Sequence, residues 1–553
     1  MRKIVDALRS LAERPTDESF VAFLEEALQK DANTFMSTVM AHFSVPTSER
    51  QEVHKAHPDA LQTAKTWQNY VGTETAEPLA IASPKTLREL QDSLVEARKL
   101  RCPVRAVGSH HAWSDAALTD GIAIETHGLL EPLVAADASL LKDPRQATTL
   151  VRASAGMTIK DLNAALDKHG LALINMGGFD GQTLAGVIST STHGSGLLLG
   201  SFPSFVEALV VVGSDGQVSQ IEKANGITDP QKFHSSVGNI RLVQDDKVFS
   251  ASVVGVGCLG IIFAVILRVR SQYWLSETRT LHKWSDLRKK LLDDNFLRQY
   301  RHVEVLINPH VIKGQNTSLL TVRHEVPQPT KPSPPKPFRN AFSELLASLP
   351  GAGEFLVFLF RTWPRLSPIL VENAITSLED SNEFVAPSFT ILNIGAANGF
   401  PAVCSELGVD LDKHVDATDS VLTVASQARA QGMYQSGLIA LRYVAPSPGF
   451  LSMQPRETCM IELPMMRGVF GSDSLPWQFE ELLTKKFGAR PHWGQRNFLT
   501  GSHDMLEQLY GHTNLQSWLE VFKSFNPSGQ FNSRFTDRVG FSSHAPCGTS
   551  VIK

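Results

Sequence analysis

Two stretches of the chain combine glycine, hydroxyl and imidazole side chains in a way that packing alone does not require. The first reads Arg105-Ala-Val107-Gly108-Ser109-His110-His111-Ala112-Trp113-Ser114. Placed after a strand, its glycine and serine expose backbone N–H groups and a hydroxyl, the donors that hold a phosphate or pyrophosphate. The second reads Met176-Gly177-Gly178-Phe-Asp-Gly181-Gln182-Thr183-Leu-Ala-Gly186-Val-Ile-Ser189-Thr190-Ser191-Thr192-His193-Gly194-Ser195-Gly196. So much glycine and hydroxyl with almost no charge points to backbone wrapped closely around a large polar ligand. Such composition also marks flexible linkers, but the apolar residues flanking this one argue against that. A third cluster, Gly255-Val-Gly257-Cys-Leu-Gly260, has the G-x-G-x-x-G spacing of dinucleotide sites. Those sites need the glycines to open a helix whose N-terminus receives the pyrophosphate. Here the β-branched run Ile261-Ile262-Phe-Ala-Val-Ile follows, so a nicotinamide dinucleotide is not expected. Glycines that let a ligand or another backbone approach a sheet fit better.

These segments need elements to position them. The spacing predicts a helix from a Ser83 cap to Leu100, with Leu87, Leu90, Leu94 and Ala97 on one face. Strands are expected at 104–107, 150–153 and 171–175, a helix at 159–168, and a hairpin over 206–221 turning at Ser214-Asp-Gly. Val248 to Leu267 is uncharged and long enough to span a membrane, but its three glycines and β-branched ends predict two short buried strands around a turn. Charged helices are expected near 283–300 and a strand at 302–308, and 326–337 reads as a proline-rich surface insertion. This is an α+β pattern. The 553 residues allow three or four domains or two large ones. A net charge of −4 argues against nucleic acid or a polybasic membrane surface. Five scattered cysteines without a C-x-x-C pair make a disulfide or zinc scaffold unexpected and favour a reducing compartment. The first residues read as an amphipathic helix rather than a leader, so a cytoplasmic enzyme is expected.

Together the two glycine-bearing segments resemble the flavin-binding domain of the vanillyl-alcohol oxidase superfamily, the p-cresol methylhydroxylase fold. More narrowly they are similar to its aldonolactone oxidase, alditol oxidase and covalent-flavin cholesterol oxidase branch. That group carries G-x-x-H-S/A and, further on, Q-T-I/L-A-G-x-I-S-T-x-T-H-G-x-G, matched here from Gly108 and from Gln182. The resemblance implies a two-domain α+β fold: a helical extension at 1–58, an FAD domain at 59–275, a cap at 276–480, and a segment at 481–553 completing the FAD site. It implies FAD contacts from Val107, Gly108, Ser109, His110, His111, Ala112, Gly177, Gly178, Thr183 and Gly186. Further contacts are implied from Ser189, Thr190, Thr192, His193, Gly194, Gly257, Gly260, Ile261 and Ile262. Motif alignment makes His111 the residue joined to the flavin 8α carbon; the alternatives are a histidine that only contacts phosphates, or a non-covalent flavin. Gly177 and Gly178 would pass the reactive edge, leaving room for oxygen, although a tight turn explains them equally.

The implied activity is oxidation of an alcohol, hydride passing to flavin N5 and O2 being reduced to H2O2. That chemistry needs a proton acceptor and a cation for the developing negative charge. The family places them in Glu-x-Arg and in a His-Trp-Gly-Lys turn; this chain has Ala440-Leu-Arg442 and His492-Trp-Gly-Gln495. Arg442 matches, while Ala440 and Gln495 depart from the pattern and lean toward a less polar or bulkier substrate than a polyol or sugar lactone. Glu304 and Glu462 each interrupt an apolar strand-like run, where an unpaired carboxylate is costly. Either is a candidate base, or a structural partner of Arg442. His492 is a third candidate, or a packed histidine beside Trp493; Asn497 is a candidate substrate contact. A flavin dehydrogenase with another acceptor and a non-catalytic flavin-binding protein are the competing readings. The expected partners are a small alcohol and O2, with no nucleic acid and no inserted membrane segment. Residues 1–55 and the proline insertion are available for oligomerisation.

Overall fold

The structure, a computed structural model, describes residues 62–63, 66–330, 333, 352–394, 401–501 and 503–542. The N-terminal extension and half of the proline-rich insertion lie outside them. Four strands, β1 (Gln62–Thr63), β2 (Ala80–Ala82), β3 (Val104–Val107) and β4 (Ile122–Glu125), form a small sheet in the order β1-β2-β4-β3. A six-stranded sheet follows, built from β5 (Val134–Ala135), β6 (Leu150–Ser154), β7 (Val206–Val212), β8 (Val218–Glu222), β9 (Ile240–Gln244) and β10 (Ile261–Arg268), in the order β9-β8-β7-β10-β6-β5. Helices α1 (Leu87–Lys99), α2 (Ile159–Asp167), α3 (Leu184–Ser189) and α4 (Asp246–Ser252) are interspersed among these strands. Helix α1 buries Leu90, Leu94 and Ala97 on the spacing expected. Its cap is Thr86, whose side chain accepts from Glu89 N; Ser83 instead donates to Glu125.

The third sheet has eight strands: β11 (Trp274–Lys283), β12 (His302–Ile307), β13 (Thr317–Val326), β14 (Asp380–Pro387), β15 (Ala402–Asp410), β16 (Ile439–Val444), β17 (Thr458–Met466) and β18 (Arg490–Pro491). Their order is β14-β11-β13-β12-β16-β17-β15-β18, antiparallel throughout. Side chains alternate between faces along a strand. Val303, Val305, Leu441, Ile461 and Leu463 join one core cluster with residues of α7 (His414–Ala430) and α8 (Ser474–Phe487). The alternate residues, Glu304, Arg442 and Glu462 among them, turn to the other face. Helices α5 (Ala352–Thr362) and α6 (Ser367–Thr376) also belong to this region of the chain.

The hairpin over 206–221 and the strands at 104–107 and 150–153 form where expected. Three further expectations are corrected. The strand at 171–175 spans only Leu171–Ala172. The uncharged segment from Val248 begins inside α4, because Asp245 caps a helix by accepting from Val248 N; only its last seven residues, in β10, are strand. A short apolar run does not by itself distinguish the two. Cys102 is disulfide-bonded, which the spacing of the cysteines does not show, and with it goes the cysteine argument for a reducing compartment. Cys258, Cys404 and Cys459 are free and buried. No helix among the described residues is long and apolar enough to cross a membrane.

Candidate functional site

Strand β3 ends at Val107, and the loop after it is held from three directions. Tyr70 N donates to His110 O at 2.8 Å, Asn69 Nδ2 to Ala112 O at 3.0 Å, and Trp113 N to Gly494 O at 2.9 Å. The last bond ties the loop to the turn containing His492. His110 has a positive φ of 60° and turns its ring onto Trp67, centroids 5.1 Å apart, with Nδ1 3.1 Å from Gln68 O. The His111 ring stands among Tyr70, Trp113 and Phe179, at centroid distances of 5.3, 5.1 and 4.3 Å.

The second glycine segment packs directly on this loop. A Cβ at Gly108 would fall 2.3 Å from Thr183 Oγ1, so no larger residue fits unless Thr183 moves. Thr183 begins α3, which buries Leu184, Val187 and Ile188. That leaves Gly186, Ser189 and Thr190 toward a cavity. The third cluster is a turn with Val256, Gly257 and Gly260 at φ of 46°, 70° and 103°. Arg105, buried beneath it, donates to Val256 O at 2.7 Å, Gly257 O at 3.1 Å and Ala116 O at 2.9 Å. One guanidinium thus fastens the first glycine segment to the third.

The three segments form one wall of a cavity of about 480 Å³; the polar face of the eight-stranded sheet forms the other. Of the residues expected to contact the cofactor, all but Gly194 and Ile261 line it. A Cβ at Gly194 would meet Met176 O, and Ile261 is buried in the core between the two smaller sheets. Between Trp67 and Ile262 no carboxylate lines the cavity. That wall of backbone, hydroxyl and imidazole groups fits a large anionic nucleotide such as FAD.

The opposite wall is charged. Arg442 Nε lies 3.0 Å from Glu304 Oε1, its Nη1 3.7 Å from Glu406 Oε1, and Nη1 also pairs with Glu462. Arg323 bridges Glu304 at 3.2 Å and Glu277 at 2.6 Å, and Arg279 pairs with Glu277 at 2.7 Å. Burial alone would raise the Glu304 pKa, but Arg442 and Arg323 override it and hold the carboxyl at about 2. Burial likewise opposes the charge on Glu406, and His193, 3.2 Å away, is foremost among the groups that bring it down to about 2. Burial lowers the His492 pKa to about 4. Its Nδ1 accepts from Gly494 N at 3.0 Å, so the neutral ring carries its proton on Nε2 and presents a donor there.

Arg442, Glu304, Glu462, His492 and Gln495 all line the cavity, as does Ala440, while Asn497 bonds within its own turn and to Arg538. Glu304 and Glu462 do pair with Arg442, the structural alternative weighed for them. Glu406, Arg323, Arg279 and Glu277 were not anticipated. Glu406 shows the signal that marked the other two acids, a carboxylate inside the apolar run Ala402-Val-Cys-Ser-Glu406-Leu. His193, Glu406 and His492 bring potential ligand atoms within 4.8 Å of one another. Arg442 already supplies a cation beside Glu406, so the group reads as an ion-paired cluster rather than a metal site.

Two family models match the chain. An FAD binding domain covers residues 78–222, and D-arabinono-1,4-lactone oxidase covers residues 265–539. The chain is 26% identical over 479 residues to an L-gulono-1,4-lactone dehydrogenase of Mycobacterium tuberculosis, covering 86% of this chain and 98% of that protein. It is 26% identical over 482 residues to the L-gulonolactone oxidase of Mus musculus, with the same coverage. Among solved structures, a solvent-stable cholesterol oxidase superposes with a TM-score of 0.70 at 16% identity, covering 87% of this chain and 98% of that one. The cholesterol oxidase of B. sterolicum gives 0.68 at 14%, covering 88% and 99%. These last two establish likeness of fold.

Proposed function

Because the chain belongs to the p-cresol methylhydroxylase-type FAD flavoproteins, in their aldonolactone oxidase branch, we propose that it oxidises a hydroxyl group of a small molecule and passes the electrons to O2. One observation carries the reading: a single cavity has a carboxylate-free, glycine-rich wall on one side and the Arg442 cluster on the other. FAD, when bound, supplies the hydride acceptor at N5 and the means of reducing O2 to H2O2.

The proposal gives each wall its task. Residues 59–275 hold the cofactor, through Val107–Ala112, Gly177, Gly178, Thr183, Gly186, Ser189, Thr190, Thr192, His193, Gly257, Gly260 and Ile262, and the segment 481–553 completes the site through the turn at Gly494. His111 is the covalent attachment, supported by its place on the cavity wall among three aromatic rings, whereas His110 is turned onto Trp67 and Gln68. Residues 276–480 form the substrate side. Arg442 stabilises the negative charge that develops on the substrate oxygen. Glu462 takes the hydroxyl proton: its side chain is 22% exposed against 9% for Glu304, and Glu304 is held by two arginines. His492 donates from Nε2 rather than accepting.

The test begins with the visible spectrum of the purified protein, before and after acid denaturation. A yellow chromophore that stays with the polypeptide, and is released in His111→Ala but not in His110→Ala, supports the covalent link. Free FAD in the supernatant of the unaltered protein sinks that link alone. Alcohol-dependent H2O2 release, with reoxidation by O2 in stopped flow faster than turnover, supports the oxidase; slow reoxidation makes it a dehydrogenase.

A further inference from the structure

The substrate face of the eight-stranded sheet is graded along its strands. Register pairs Glu304 of β12 with Arg442 of β16, and Glu406 of β15 with Glu462 of β17. Two residues further along the face, the partners are Leu306 with Ala440 and Cys404 with Pro464. Beyond them lies the pair Ala402 with Met466. On β13 the same progression runs from Arg323 through Thr321 to Leu319. Charge is therefore confined to one end, where the ions are bonded to one another. At the apolar end the cavity is closed by Leu370, Val371 and Ala374 of α6, with Phe360 of α5 and Leu378 beyond. Ser436 stands nearby, but its hydroxyl already accepts from Met466 N and faces Met465 Sδ.

From this grading we infer that the substrate is a hydroxyl on a hydrocarbon body rather than a polyhydroxylated lactone. The hydroxyl sits at the Arg442 end, and the body lies between the Leu306–Ala440 row and α6. This rests on the alcohol-oxidation reading above and specifies its substrate class. A sugar lactone has a hydroxyl on nearly every carbon. Each one buried against leucine and valine without a partner costs roughly tenfold or more in affinity. A hydrocarbon body instead gains by leaving water. Ala440 matters for the same reason: a carboxylate there would put charge in the second row and extend the polar end toward α6.

The probes are 4-cyclohexylcyclohexanol and L-gulono-1,4-lactone, titrated anaerobically into the FAD-loaded enzyme. Binding is read from the perturbed absorbance of the oxidised flavin, and reaction from its bleaching. The apolar alcohol is expected to bind at least tenfold more tightly and to bleach the flavin. Leu370→Asn should weaken it tenfold or more, with little change for the lactone. Should Leu370→Asn not fold, Ala374→Phe, which fills the same space without a buried amide, is expected to do likewise. Equal or tighter binding of the lactone overturns the inference, as does failure of the alcohol to bind. Binding of the alcohol without bleaching, lost in the α6 variant, would uphold the ligand class and sink the redox reading instead.

Discussion

Arg442 faces three carboxylates, Glu304, Glu406 and Glu462, within 4 Å. Removing the cation from such a group leaves like charges together in a poorly solvated place, typically a loss of about 3–5 kcal/mol. Arg442→Met is therefore expected to lower stability by that order in urea unfolding. It should also slow flavin reduction by roughly a hundredfold, the scale of a lost charge-stabilising donor. Glu304→Gln separates structure from catalysis. With its pKa held at about 2, Glu304 is ionised throughout the working range and does not titrate there. The Gln variant should keep the acid limb of the rate–pH profile where it was, and a moved limb would make Glu304 the base after all. This arrangement was half legible. An acid inside an apolar strand marked Glu304 and Glu462, and the same sign was present at Glu406. The pairing was not legible, because Glu304, Arg442 and Glu462 meet only through strand order.

At the scale of elements, the glycine turn shows where spacing misleads. Its G-x-G-x-x-G pattern is followed by β10 and not by a helix, as the β-branched run after it led one to expect. Gly260 has a second reason to be glycine. At φ 103° an added Cβ would lie 2.6 Å from Val211 Cγ1 and 2.7 Å from Val212 O, and a backbone carbonyl within a sheet cannot retreat. Gly170 also has a positive φ, 67°, but a Cβ there meets nothing within 4 Å. Gly170→Ala should cost only the left-handed backbone penalty, about 1–2 kcal/mol. Gly260→Ala adds an overpacking term of about 1–3 kcal/mol. Urea midpoints for the two variants measure the difference, and equal losses would mean β7 and β10 are not held this closely. Sequence could supply the turn but not its neighbour, because β7 lies some fifty residues away in the chain and is fixed only by sheet register. Helix α4 was missed for a related reason: its cap, Asp245, precedes the uncharged segment that drew attention.

For the whole molecule, the substrate sheet and the terminal segment meet at Glu480. This acid of α8 is 5% exposed and accepts from Phe498 N at 2.8 Å, just beyond the turn that carries His492 and Gln495. Its other oxygen is buried without a hydrogen-bond partner. Burial pushes its pKa up to about 7, against the pull of the Phe498 amide and of Arg538 and Arg496. It lies between Phe479 and Glu481 on α8, and nothing in the sequence marks it as enclosed by a second part of the chain. The sign of the consequence is fixed. An acid whose folded pKa lies above its unfolded value holds its proton more tightly when folded, so its contribution is complete below about 4.5. It is lost as pH rises through about 7. Glu480→Gln keeps the bond to Phe498 and cannot ionise. Its advantage over the unaltered protein should be near zero at pH 4.5 and grow to about 1–3 kcal/mol by pH 8. Melting temperatures of both proteins across that range provide the measurement, and the difference between them isolates Glu480 from every other titrating group. A constant offset would mean that the carboxyl is already ionised in the fold, with water or a cation reaching the oxygen that otherwise lacks a partner.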